Sequence, residues 1–577
     1  MGINLPQMGS VARTTTGVTS FAGLDRLLKC QEYEFAAMTN METKQLPVMS
    51  TRPPRRLLRK LQKPNMLAAH DRMCWVDGTD LYCGGRVVGQ VKDSRKTFVR
   101  MGAQLVIWPD KVLYNVKTDT LESLENKKET TGTVNFTLCR ADGTPYEGYA
   151  VGKTAPESPE NGDLWMDTSE EKAALRQYDA SLAMWVSIPT VFTMIAAAGV
   201  GEGFSKYDGV TVSGCTALPE LNGEFFLMGA QQDAVIVTAL ITQAGSQTEP
   251  VTVQRKVPDL DYVCECNNRL WGVKKDVHEI YACALGDPKN WNQFMGLSSD
   301  SYVVNVGSAG DFTGAAAHMG SVLMFKEDCV HTVMGTLPSN FTVSVMQCRG
   351  VEDGSAGSLK RINEVLYYKS EDHVCGYGSA LPSSVSQKLP ELGGNAVGGQ
   401  IGDRYYLCVD AKDGGRELLC YDTQAAAWVR EDGLNVQWMA TQDGRLYLLA
   451  ADGSLYCTEP GANEYDGEGA ADEEAQPYEL VTGPIGLDEP YAKYISRIQL
   501  YGETEPGTSL RVEIQYDERG EWERVYDGMP TPRQSMVLPF TTRRCRTLRL
   551  RLSGVGGMRL YSIIKSVETG SDHYAAR

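Results

Sequence analysis

Histidine is scarce in this chain, and the six present (His70, His278, His318, His331, His373 and His573) are scattered. No two stand at metal-ligand spacing on a helix. Neither H-E-x-x-H nor G-x-S-x-G occurs, so the sequence predicts neither zinc hydrolysis nor a nucleophile elbow. Fifteen cysteines are present without one C-x-x-C pair. Cys264 and Cys266 would point to the same face of a strand, with no second pair to complete a zinc site. Others sit in apolar runs, such as Cys408 in YYLCVD and Cys420 in ELLCYD. They read as reduced, buried thiols. The glycine-rich stretch from Gly199 to Phe204 lacks the Lys-Ser/Thr of a phosphate loop and reads as a turn. A carboxylate pair for glycan hydrolysis would leave no local signature. The expectation is no enzyme activity, no cofactor, no metal and no catalytic residue.

Two groups are suited to binding instead. Arg52, Arg55, Arg56, Arg59, Lys60 and Lys63 crowd into one short segment without an intervening acid. Such a run fits a neighbouring acidic subunit, phosphate of DNA, or plain solvent. A second basic strip follows at Arg543, Arg544, Arg546, Arg549 and Arg551. The other group is aromatic: Trp165, Tyr178 and Trp185 on short strands could stack on a sugar or form a miniature core.

Charge and composition bound the rest. Asp and Glu outnumber Lys and Arg by 73 to 56, a net charge of −17. That opposes general coating of nucleic acid, though not a local basic strip. With 42% hydrophobic residues the chain can fill cores, and 577 residues suggest three to four domains. No apolar run reaches membrane-spanning length, so no membrane insertion is expected. The opening MGINLPQMGSVARTTTG lacks the apolar core of a signal peptide. The expectation is a protein made and kept inside a cell until something larger carries it out.

The elements that must position these groups read as sheet. Only 55–63 (RRLLRKLQK) and 170–178 (EEKAALRQY) suggest helix. Elsewhere short apolar runs alternate with Gly, Asp and Asn turns. A turn residue followed by a strand recurs at Asp71, Asn268, Gly320, Asn363, Gly402 and Asp443. From 268 onward the steps are 52, 43, 39 and 41, close to the ~40–50 residues of a four-stranded propeller blade. The gap from 71 to 268 is too long for one step, so a separate domain is inserted there. The predicted fold is all-β: a β-propeller of about six blades, an inserted β-rich domain and a C-terminal β-sandwich. The boundaries are an N-terminal arm at 1–63, propeller at 64–117 and 258–460, and the insert at 118–257. An acidic linker at 461–476 follows, read as solvated because its spacing is no calcium loop. The sandwich spans 477–577, where Leu548, Leu550 and Leu552 alternate with Arg549 and Arg551.

A resemblance adds to this reading. Phe21-Ala-Gly-Leu-Asp25, Asn40 and the stretch from Leu46 to Arg55 (LPVMSTRPPR) resemble the opening of phage packaged-DNA stabilisation or tail nozzle (hub) proteins. The block from Ala284 to Phe294 (ALGDPKNWNQF) resembles a blade motif of the same family. The stretch from Arg549 to Ser571 is similar to its C-terminal domain. The Gly-Asp-Leu-Trp strand at 162–165, with Tyr178-Asp179 and Trp185, resembles a hairpin module of phage structural proteins. The resemblance covers about the first 110 residues and 260–572, not the insert. It implies a virion structural protein of a phage tail, assembled in the host cytoplasm. Such a protein forms a homo-oligomeric ring, with six copies expected, that extends the DNA channel and helps retain the packaged genome. Its implied partners are the portal or adaptor, a tail fibre or needle, and the DNA in the channel. The alternative is a peripheral baseplate or receptor-binding protein that recognises host glycan through Trp165, Tyr178 and Trp185.

Overall fold

A computed structural model describes residues 12–390, 392–488 and 491–569. The first eleven residues of the predicted arm, His573 and the Gly570-Ser571 end of the C-terminal pattern lie outside them. The regular structure of the described residues is almost all strand, in many small, mostly antiparallel sheets, with three single-turn 3-10 helices. The chain divides into two compact units. One comprises Met1–Arg95, Phe325–His331 and Val345–Arg577; the other comprises Lys96–Met324 and Thr332–Ser344.

The first unit holds a two-sheet terminal body. One sheet orders Met41–Glu42, Met49–Thr51, Met558–Thr569, Lys493–Thr504 and Arg533–Val537, with Ala12–Val18 also paired to Met558–Thr569. The other orders Phe35–Thr39, Pro477–Thr482, Leu548–Val555, Leu510–Tyr516 and Glu523–Gly528. The alternation read at 548–552 is real. Leu548, Leu550 and Leu552 are buried, with Leu550 opposite Ile514 and Leu552 opposite Val512, while the arginines between them face outward.

Residues 12–63, expected as an arm reaching a neighbour, are instead built into three sheets of this unit. Phe21, Leu24, Phe35, Met41, Met49 and Leu58 are all buried. Apart from the local pairing of Met41–Glu42 with Met49–Thr51, the strand partners of this segment lie more than 390 residues away, where no local periodicity registers them.

Four further sheets of this unit each begin with a strand hairpinned to a more deeply buried one. They start at Pro64–Ala69, Lys360–Ile362, Val397–Ile401 and Val436–Gln442. These first strands lie beside one another in the order Lys360–Ile362, Val397–Ile401, Val436–Gln442, Pro64–Ala69. Close stacking explains Gly399, where a Cβ would come within 2.7 Å of Met439 Sδ. It also explains why second strands such as Arg404–Asp410 are apolar runs without alternation: both faces are covered. The connecting turns need left-handed backbone, as at Asp443 (φ 48°) and Gly444 (φ 72°). The sheet of Val436–Gln442, Arg445–Ala450 and Ser454–Cys457 is completed by Arg56–Lys60 from far upstream.

The second unit contains the sheets Thr97–Met101 to Thr120–Ser123 and Tyr262–Cys266 to Tyr302–Asn305. A further sheet, Gly314–His318 to Thr342–Gln347, is cut by the division between units. Seven sheets of this kind therefore occur among the described residues, one more than the repeat count predicts. The missed one follows Gly102 with QLVIW, the same signature at a shorter step. Between Thr120–Ser123 and Tyr262–Cys266 lies the insert. Its eight-stranded sheet runs from Asn126–Glu129 to Gly245–Gln247 in spatial order, and a four-stranded sheet covers Ala150–Gly152 to Met184–Ser187. Phe136, Met166, Leu175, Ile195, Leu227 and Val253 share one core, and Arg255 pairs with Asp208 in a buried ion pair.

Both helix candidates are strands: Arg56–Lys60 and Ala174–Asp179. Helix-favouring Leu, Arg and Ala yield there to cross-strand pairing and burial, which outweigh propensities of a few tenths of a kcal/mol per residue.

Candidate interaction sites

The basic run lies at a junction inside the first unit. Strand pairing with Ser454–Cys457 directs its side chains to either face, where acids of the same chain meet them. Arg55 is 2% exposed and donates to Glu431 at 2.6 Å and Asp432 at 2.7 Å. Its backbone N–H donates to Glu473 at 2.9 Å. Arg52 Nε donates to Asn40 Oδ1 at 2.8 Å, and its Nη atoms reach Glu473 at 2.8 Å and Asp432 at 3.3 Å. Burial alone would lower the Arg55 pKa. The charges of Glu431, Asp432 and Glu473 outweigh it and hold the guanidinium more firmly charged than in water. Burial likewise pushes the Asp432 carboxyl up, but Arg55 and Arg52 bring it below the usual carboxylate range.

Arg56 meets Asp466 at 2.6 Å and Asp472 at 3.1 Å. Its hydrogen bonds are the main cause of the lowered Asp466 pKa. Arg59 donates to the Tyr465 carbonyl at 2.8 Å and lies 4.8 Å over the Trp75 ring. The acidic linker, expected to be solvated, thus folds back as the counter-charge of the basic run. Only Lys60, near Asp452, and Lys63, 3.0 Å from Asp93, keep mostly exposed side chains. The second basic strip is similarly paired at three positions: Arg543 with Glu523, Arg549 with Glu518, and Arg551 with Glu513.

The aromatic trio is brought together. Register places Trp165 opposite Arg176 and Tyr178 opposite Trp185, so all four share one face of the small insert sheet. The other face sends Met166 and Leu175 into the insert core. Trp185 lies 5.5 Å from Trp165 and 5.4 Å from Tyr178, both at steep ring angles. Trp165 is only 7% exposed and donates from Nε1 to the Gly152 carbonyl, while Tyr178 and Trp185 are half-buried. Arg176 bridges to Asp167 at 2.9 Å beside them. The trio packs first as a miniature core and offers Tyr178 and Trp185 at its rim.

Sequence reasoning missed a cleft of about 640 Å³ in the first unit. Its walls include Glu42, Lys44, Arg52, Glu503, Glu505 and Arg559, contributed by segments that are far apart in the chain. Burial pushes the Glu42 carboxyl up, against the opposing pull of Lys44 and Arg404. No contiguous motif could announce such a site.

Of the fifteen thiols, all but Cys348 are buried, and burial pushes the Cys348 thiol up to about 11. Among the described residues no group of three His, Cys, Asp or Glu side chains could hold a metal, and no helix is long and apolar enough to cross a membrane.

No family model and no curated protein matches this chain. Some solved structures are remotely similar to it. A computationally designed protein, Ika8, is 10% identical over 70% of this chain and 99% of its own, with a TM-score of 0.32. BamB from Moraxella catarrhalis is 10% identical over 46% of this chain and 78% of its own, at 0.23. An exo-beta-1,3-galactanase from Phanerochaete chrysosporium is 9% identical over 53% and 95%, at 0.21.

Proposed function

We propose that this chain is a non-enzymatic structural subunit of a tailed-phage virion, a tail nozzle or hub protein that assembles as a ring. In this reading the seven small sheets are the blades of a β-propeller. The sheet completed by Arg56–Lys60 is where strands from distant parts of the chain join, as closure of a propeller requires. The ring extends the DNA channel below the portal or adaptor, helps retain the genome, and docks a fibre or needle.

The observation that carries the reading is the physical coupling of the residues that bear the resemblance. Asn40 adopts left-handed backbone (φ 56°) and accepts from the Arg52 side chain. Its carbonyl accepts from the Arg52 N–H, and its own N–H donates to the Glu431 carbonyl. Arg55 closes on the same Glu431. The spaced Asn…Arg-Pro-x-Arg pattern is thus one interlocked unit that fixes the terminal body to the neighbouring sheets. Electron microscopy of the purified protein tests the proposal: the expected result is closed rings with an axial channel. Monomers at every concentration, together with absence of the chain from purified virions, would refute it.

The half-buried rim at Tyr178 and Trp185 favours a second reading, glycan recognition by the insert. It predicts that Trp185→Ala abolishes binding on a glycan array; no binding by the intact chain refutes it.

A further inference from the structure

Two buried cysteines of the first unit stand directly opposite each other. The sheet that begins at Pro64–Ala69 continues through Met73–Asp77, Asp80–Cys83 and Arg86–Gln90. Register pairs Cys74 with Cys83, Trp75 with Tyr82 and Val76 with Leu81. Successive antiparallel pairs alternate between those joined by backbone hydrogen bonds and those that are not. The Gly84 N–H donates to the Met73 carbonyl at 2.9 Å, so the 73–84 pair is of the bonded kind and Cys74–Cys83 is of the other. In that kind the side chains come closest, with Cα atoms about 4.5 Å apart, within the span of a disulfide. The two thiols are hydrogen-bonded to each other, and Cys74 Sγ donates to the Arg72 carbonyl at 3.7 Å. Cys264 and Cys266, by contrast, lie on one strand and face Trp271 and Arg269 in register.

The hydrogen bond to Cys83, together with burial, pushes the Cys74 thiol far above the usual thiol range. The closed pair is therefore inert, and reaction waits on local opening. The sheet has a place to open. Arg86–Gln90 is its edge strand, and none of its five residues is buried. Gly84 and Gly85, both in left-handed backbone (φ 60° and 83°), join that strand to Cys83. Fraying of the edge thus begins next to Cys83 while its pairing with Cys74 is kept. We propose that Cys74 and Cys83 form a modification site, a cross-strand dithiol that a small-molecule disulfide such as oxidised glutathione converts to an internal disulfide. One thiol, deprotonated as the site opens, attacks the oxidant and displaces one molecule of reduced thiol. The second, deprotonated in turn, attacks the mixed disulfide and displaces another. Two S–H bonds are lost and one S–S bond forms, and the two electrons and two protons leave on the two released thiols. A reducing cytoplasm keeps the pair open, and an oxidising medium closes it.

Trypsin releases residues 73–86 (MCWVDGTDLYCGGR) as one peptide that holds both cysteines and no others. The test is to incubate the full chain with oxidised glutathione, alkylate it in denaturant, digest it without reductant and weigh this peptide. The expected peptide is two hydrogens lighter than its dithiol form and carries no alkyl group. Dithiothreitol before alkylation should restore both sites, and Cys264 and Cys266 should stay alkylated throughout. Near-UV circular dichroism should match that of the untreated chain. Amide exchange across 73–83 should slow about tenfold or more on oxidation, and in Cys83→Ser the same treatment should leave it unchanged. A wild-type peptide that keeps both thiols open to alkylation, or carries glutathione on each, overturns the proposal. So does a bridge that forms only as the near-UV signal is lost, since it would then be a product of unfolding.

Discussion

Replacing Arg55 by Met should open the junction between the basic strand and the acidic linker. The side chain is 2% exposed and faces Glu431, itself 4% exposed, and Asp432. A methionine fills much of the volume but leaves Glu431 without the guanidinium that pairs with it in a poorly hydrated place, and leaves Asp432 with Arg52 alone. Removing one partner of a buried pair costs about 3–5 kcal/mol. If that cost falls on local opening, amide exchange in 52–60 and 461–474 should accelerate roughly a hundredfold to a few thousandfold, at about 1.4 kcal/mol per tenfold. Hydrogen exchange read by mass spectrometry reports both segments at once. Arg55→Met/Glu431→Leu should recover part of the loss, because the buried charge left behind is then removed. The pH dependence has a defined sign. Asp432 has a folded-state pKa below its unfolded value, so its stabilisation is present above the unfolded value, near 3.9, and is lost as pH falls through the folded one. Acid should therefore loosen the same two segments in the wild type. Exchange in Arg55→Met within about threefold of wild type would refute the view that this network holds the junction.

Deletion of residues 1–63 should abolish folding of the first unit rather than merely detach an arm, because it removes strands from three sheets; loss of near-UV circular dichroism checks this. Cys348 should be the first thiol modified by a maleimide in the native protein, and only slowly at pH 7 because its pKa is near 11; peptide mapping after brief exposure identifies the site. Lys60→Ala and Lys63→Ala should leave urea unfolding almost unchanged, since both ion pairs are exposed.

What the sequence made legible was what is local. Turn residues followed by apolar runs identify strands because hairpins are closed by neighbours in the chain, as Asp443-Gly444 closes Val436–Gln442 onto Arg445–Ala450. The alternation at 548–552 identifies a one-sided sheet for the same reason. The aromatic trio was legible because its strands are consecutive hairpins. The destination of residues 12–63 was not legible. Ala12 pairs with Thr569 and Arg56 with Cys457, and nothing in a window of eighteen residues encodes either partner. The basic run shows the cost of reading charge locally. Six cations without an intervening acid looked like a surface for something else, yet four of them are met by groups of 431–473. The acidic linker looked solvated for the same reason: each segment carries half of a neutral junction. The cleft around Glu42 was invisible because its walls come from separate stretches of chain.

This pairing changes the electrostatic argument for assembly. If the basic run were free, adjacent copies could join by setting it against acids of a neighbour, and added salt would weaken the ring by screening that attraction. With Arg52, Arg55 and Arg56 committed within the chain, what neighbouring copies present to each other is dominated by the excess of acid, 73 against 56. On the proposed ring reading, repulsion then opposes assembly and apolar contact must drive it. Raising salt from about 0.05 to about 0.5 M shortens the screening length from more than 10 Å to well under 8 Å, and should strengthen self-association. Light scattering at the two concentrations decides the sign. Rings that dissolve as salt rises would show that an ionic contact between copies, not an apolar one, holds them.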